Sequence, residues 1–142
     1  MEVKKYKIIS LYILVSIFFA NYAHSAVEDW EYVTTTGGTQ VFVDPKTFKK
    51  DRNIWKISIL GDGTPYKSGG YDGIPEQIKT SNKYDIEFDC SRDVYRLMRV
   101  ASYSKHLGEG YIETKYVGGE WRSFNESGII FTPVADLYCN KR

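Results

Sequence analysis

Between Tyr84 and Cys90 the chain alternates residue by residue, with Tyr84, Ile86, Phe88 and Cys90 set against Asp85, Glu87 and Asp89. Side chains two apart on an extended strand share a face. The segment therefore reads as a half-buried β-strand, apolar set toward a core and three acids toward water. The same pattern aims Cys90 inward, at whatever packs on that face of the sheet. Trp55, Ile57 and Ile59 alternate with Lys56 and Ser58 in the same way and give a second such strand.

Short runs rich in Tyr and β-branched residues, punctuated by Gly, Asn, Asp and Pro, extend this reading along the chain. They place strands near Asp29 to Thr35, Gln40 to Asp44, Asn53 to Leu60, Tyr84 to Ser91, Val94 to Tyr103 and Tyr111 to Tyr116, with a last one at Gly128 to Phe131. Helical signals come only near the end. Thr132 fits an N-cap with Pro133 at the first helical position, and Val134 to Cys139 makes two short turns. So brief a helix is not stable alone, so burial of Val134, Leu137 and Tyr138 and a covalent tie have to hold it.

The only two cysteines in the sequence are Cys90 and Cys139. Their redox setting follows from the N-terminus, where Lys4, Lys5 and Lys7 precede an uncharged, mostly apolar run from Ile8 to Ala20. That is the layout of a secretory signal peptide. Its apolar core of 13 residues is well short of the roughly 20 that a membrane-crossing helix needs. Ala23 and Ser25 supply small residues before a cut that leaves Ala26 first; a cut after Ala26 is the alternative. The expected organisation is a leader over residues 1–25 and one domain over 26–142, with no transmembrane helix in the mature chain. No Cys lies near the junction to accept a lipid. Export makes the periplasm, the medium or the outer surface the expected location. An even Cys count in an oxidising compartment points to a Cys90–Cys139 disulfide. Closing a loop of that size stabilises the fold by roughly 4 kcal/mol in the chain-entropy account. Together these readings give an α+β, mostly β fold: one antiparallel sheet of about six strands with a short C-terminal helix packed on one face and tied by the disulfide.

The leader carries three Lys and one Glu, leaving 16 basic and 17 acidic residues in the mature part. This balance gives no support to nucleic acid or an anionic membrane as partner, because both select strongly basic faces. Chemistry-bearing constellations are equally scarce. His106 stands in a Ser104 to Gly110 turn and reads as a solvated side chain, and both Cys are better explained by a disulfide, so no metal site is expected. Gly61, Asp62, Gly63 lacks the spacing and the Lys of a phosphate loop, and no nucleophile elbow occurs. Asp85, Glu87 and Asp89 are the acids of a wet strand face, with Arg92, Arg96 and Arg99 downstream to pair with them across strands. The expectation is a non-enzyme without a cofactor.

Aromatic residues are the richer signal: 3 Trp and 12 Tyr supply the kind of side chain that protein interfaces favour. The polar, Gly-rich stretch from Gly61 to Lys83 reads as a mobile connection or as a loop presenting Tyr66 and Tyr71. Tyr66, Lys67, Tyr71 and Lys79 are the candidate partner contacts. Exposed sheet edges could also pair between protomers and form a homodimer.

The order of several short motifs resembles one known family. Trp30, then Val41, Phe42, Val43 and Asp44, then the Trp55 strand, are followed by Asp89 and Cys90 with Arg92, Tyr95 and Arg96. Tyr103, Gly108, Gly110, Trp121 and Cys139 complete the series. Over about Trp30 to Cys139 this is similar to the bacterial surface adhesin E family. The resemblance implies a curved antiparallel sheet with the C-terminal helix on its concave side, held by the Cys90–Cys139 disulfide. It also implies adhesion to host-cell or extracellular-matrix proteins; the alternative, favoured by the missing lipid-acceptor Cys, is a periplasmic structural or assembly factor of the bacterial cell envelope. Two departures stand out: the absent lipid-acceptor Cys, and the absent Pro-Gly-Ser run before the final helix.

Overall fold

The computed structural model describes residues 27, 29–70, 72–124 and 130–139. Among the described residues, six strands follow sequence order across a single antiparallel sheet: β1 (Glu31–Thr36), β2 (Thr39–Asp51), β3 (Ile54–Ser68), β4 (Gln77–Asp89), β5 (Val94–Tyr103) and β6 (Tyr111–Tyr116), and a seventh, β7 (Arg122–Ser123), pairs β5 beside β6. Every connection is a hairpin or short link, as antiparallel neighbours allow. Gly37 and Gly38 close the first hairpin with φ of 57° and 79°, positive at both turn positions as a tight type I′ connection demands.

One face of the sheet carries the core. Val41 and Val43 of β2, Ile57 and Ile59 of β3, Ile86 and Phe88 of β4 and Tyr95 of β5 are buried there. The helix α1 (Thr132–Cys139) lies over them, burying Val134, Ala135 and Tyr138. Tyr138 is the centre of the packing: its ring stacks on Phe48 at 5.0 Å and approaches Trp55 and Phe88 at 6.2 and 6.4 Å. Cys90, aimed inward at the end of β4, forms the disulfide with Cys139. Leu137, expected in the core, is instead exposed; at eight residues α1 is too short to bury more than one stripe, and Val134, Ala135 and Tyr138 occupy it.

Two further expectations are corrected. Gly61 to Lys83 is not a loop: β3 continues to Ser68 and β4 begins at Gln77, paired from Tyr66↔Lys79 to Ser68↔Gln77. The pairing is interrupted by a register shift between Asp62 and Tyr66 and then resumes along both strands. The strand expected over Gly128 to Phe131 falls partly outside the described residues, and Ile130 and Phe131 form a turn into α1.

Candidate binding surfaces

β3 stays paired with β2 only as far as Asp62, and β4 meets β5 only from Ser81. Beyond those points the two strands run on as a two-stranded arm past the body of the sheet. Such a ribbon is marginal alone, and its base is accordingly tied down. Thr80 and Ser81 donate their hydroxyls to the carbonyls of Ser104 and Lys105, and the Gly108 amide donates to Ser81 Oγ. His106 Nδ1 sits 2.8 Å from Asp62 Oδ1. The link between β5 and β6 thus works as a brace for the arm. Among the described residues no group of three or more His, Cys, Asp or Glu is placed to hold a metal ion.

The arm presents apolar surface. Tyr66, Ile74 and Ile78 are about half exposed, at 47%, 52% and 53%, and the Tyr66 hydroxyl accepts from Asn82 Nδ2 at 3.3 Å. Lys67 is exposed and reaches Glu76 across the arm at 3.1 Å. Lys79 is different, being 6% exposed with its ammonium held by Glu113 of β6. Hydrogen bonding to Lys79 keeps the Glu113 carboxyl below the usual carboxylate range. Of the candidate contacts, then, Tyr66 and Lys67 stand on the arm surface, Lys79 lies beneath it, and Tyr71 is outside the described residues. Tyr111, Tyr116 and Val117, on and just after the edge strand β6, are exposed as well. Alternation carries no sign of their exposure, because it does not reveal which strand has a free edge.

The sheet face opposite α1 is charged, and its acids are not the water-facing set expected. Glu87 and Asp89 are both 5% exposed beneath basic side chains. Glu87 accepts from Arg96 Nε at 2.6 Å and Lys56 Nζ at 2.7 Å; Asp85 accepts from Arg99 Nε at 2.5 Å and Ser58 Oγ at 2.6 Å. Arg96 and Arg99, three apart, would face opposite ways on a regular strand. The pairing jumps from Asp85↔Arg99 to Ile86↔Leu97, leaving Met98 as a bulge that turns both guanidinium groups to one side. Burial disfavours the charge on Glu87, but the hydrogen bonds from Lys56 and Arg96 outweigh it and its pKa is lowered. Trp121 lies against this ladder, its ring 5.0 Å from the Arg92 guanidinium and 4.6 Å from that of Arg96. The pairing of acids with Arg92, Arg96 and Arg99 expected from the sequence is present; each of the three carboxylates is engaged by at least one cation.

With the Cys90–Cys139 clamp and this strand order established, comparison with known proteins is informative. The sequence profile of surface-adhesin protein E matches residues 30–140. The chain belongs to the surface-adhesin protein E family. Its fold is also similar to a solved structure of Haemophilus influenzae protein E (crystal form II), with a TM-score of 0.52, 11% identity, and coverage of 77% of this chain and 92% of that one. At that identity the likeness speaks to the shared fold. No curated protein matches the sequence. The matched span of the adhesin E profile begins at Trp30 and takes in both cysteines, so the disulfide-clamped sheet described above is the family domain. No described helix is long and apolar enough to cross a membrane.

Proposed function

We propose that this protein is an exported, non-enzymatic adhesin that binds host-cell or extracellular-matrix proteins after removal of the leader over residues 1–25. The observation that carries the reading is the projecting β3–β4 arm in an adhesin E domain, braced at its base and half-exposing Tyr66, Ile74 and Ile78. Apolar and aromatic side chains on a pre-ordered ribbon lose little entropy on binding and suit protein recognition. Tyr66 and Lys67 on the arm are the proposed contacts, with Tyr71, which lies outside the described residues, as a third candidate. The chain beginning at Ala26 should bind saturably to immobilised matrix proteins or to epithelial cells, and Tyr66→Ala together with Ile78→Ala should weaken that binding. Absence of saturable binding to a panel of matrix proteins and to cells would refute adhesion.

The alternative is a periplasmic structural or assembly factor of the bacterial envelope. It is favoured by the engagement of both cysteines with each other, which leaves neither to carry a lipid. Stoichiometric recovery of one envelope protein with the tagged mature chain, alongside no binding to host material, would establish that role. Edge strands β1 and β6 leave backbone groups for a second copy, and sedimentation of the mature chain tests a homodimer.

A further inference from the structure

A cleft of about 280 Å³ lies on the helix side of the sheet, lined among the described residues by Tyr84, Tyr95, Leu97, Val117, Ile130 and Phe131. Its walls are fixed from several sides. The Val117 amide donates to Met98 O at 3.0 Å, and the Gly119 amide to Leu97 O at 3.2 Å. Phe124 donates from its amide to Asp93 O and lies face to face with Tyr95. Trp121 is held on the far side by Arg92 and Arg96. With Trp121 turned away, its neighbours Glu120 and Arg122 both line the cleft. Both are exposed, and neither forms an ion pair among the described residues, whereas the acids of the opposite face all do.

We infer that this cleft is an anchor pocket for a protein segment carrying one large apolar side chain flanked by a basic and an acidic residue. The apolar walls take the anchor, Glu120 takes the basic neighbour and Arg122 the acidic one. The volume falls just under the range of sites for whole small molecules and suits one or two side chains. A rigid apolar pocket with charged residues at its rim is the form that interface hot spots take. Two charges of opposite sign at one mouth, neither ion-paired among the described residues, select a partner carrying both. This inference rests on the protein-binding reading above and names the partner chemistry of a second surface, distinct from the arm.

The test uses acetylated, amidated tripeptides as probes, Lys-Leu-Asp and Asp-Leu-Lys and the same pair with Ala at the centre, followed by methyl NMR of the mature chain. The expected result is saturable shifts confined to Leu97, Val117 and Ile130, binding at least about tenfold weaker with Ala, and a preference for one charge order. The double variant Glu120→Lys, Arg122→Glu should reverse that preference. Shifts that fail to saturate, equal binding of the Ala peptides, or indifference to the charge swap would each overturn the inference. Val117→Trp, at a half-exposed position, should fill the cleft and abolish tripeptide binding. If the unaltered protein binds matrix proteins and Val117→Trp binds them equally well, the anchor pocket fails while adhesion stands. If no matrix protein binds but the tripeptides do, adhesion fails and the pocket stands.

Discussion

Ser91 donates twice to the same carboxylate oxygen of Asp89, from its amide at 2.9 Å and from its hydroxyl at 2.6 Å. Arg92 Nε takes the other oxygen at 2.7 Å. The carboxylate therefore fixes the tight turn after β4, and Cys90 opens that turn. A buried acid at this position holds the geometry from which the disulfide reaches α1.

These bonds, the Ser91 hydroxyl foremost, favour the ionised form and lower the Asp89 pKa from 3.8 to about 2. A carboxyl with a depressed folded-state pKa stabilises the fold fully above its unfolded pKa and loses that contribution as pH falls toward the folded value. Thermal stability should hold steady down to about pH 4 and fall between about pH 4 and pH 2. Asp89→Asn should lower Tm at neutral pH and flatten the decline in that window, as read by circular dichroism melts across the pH range.

Glu87 and Glu76 are both ion-paired, yet their removal should differ in effect. Glu87 is buried under Lys56 and Arg96, so Glu87→Gln should cost about 2 kcal/mol through two weakened charge-assisted bonds. The Lys67–Glu76 pair is mostly exposed on both sides, and Glu76→Gln should cost less than about 0.5 kcal/mol. Urea denaturation at neutral pH measures both, and 1 M salt should matter more for the arm pair.

Reduction of the Cys90–Cys139 bond should destabilise the protein by about 4 kcal/mol in the chain-entropy account. The loss should register first at α1, whose eight residues cannot persist unaided. Because Trp55 packs against Phe48 and Tyr138, its fluorescence should shift to longer wavelength in a Cys90→Ser, Cys139→Ser double variant. Far-ultraviolet sheet signal should change less.

Neighbouring glycines after β6 should respond unequally to a methyl group. At Gly119 a Cβ would come within 2.5 Å of the Leu97 carbonyl oxygen, so Gly119→Ala must push the β6–β7 link off β5, at about 1–3 kcal/mol. At Gly118 there is open space but φ is +62°, and Gly118→Ala should cost about 1 kcal/mol from strain alone. Tm values of the two variants and hydrogen exchange at the residue 119 amide distinguish these effects.

Period-two alternation was enough to orient β4 and the first half of β3, because Tyr84, Ile86, Phe88 and Trp55, Ile57, Ile59 turn to one core. It could not say what lay across the sheet. The acids of β4 point away from α1 as expected, yet Arg96, Arg99 and Lys56 cover them. Glycine misled the reading of residues 61–83: Gly61 and Gly63 lie inside β3, where a Cβ would press on Thr39 at 3.4 and 2.9 Å, so they mark close strand approach rather than a break. The two-residue β7 is too short to leave a periodic trace. The cleft has no local signature at all, since Tyr84, Leu97, Val117 and Phe131 meet only through long-range pairing and the disulfide-held tail.

Met98 makes β5 two short segments of opposite phase joined end to end. Up to Leu97 odd-numbered side chains belong to the helix side; from Arg99 onward the parity is inverted. Deleting that one residue would join Leu97 directly to Arg99 as a regular strand and keep Arg99 on the charged face and Val100 on the helix side, at the cost of the carbonyl that accepts from the Val117 amide. The change of phase in this strand is therefore carried by the presence of one extra residue and not by its identity, and a deletion at position 98 should preserve which side chains face the core while loosening the link after β6.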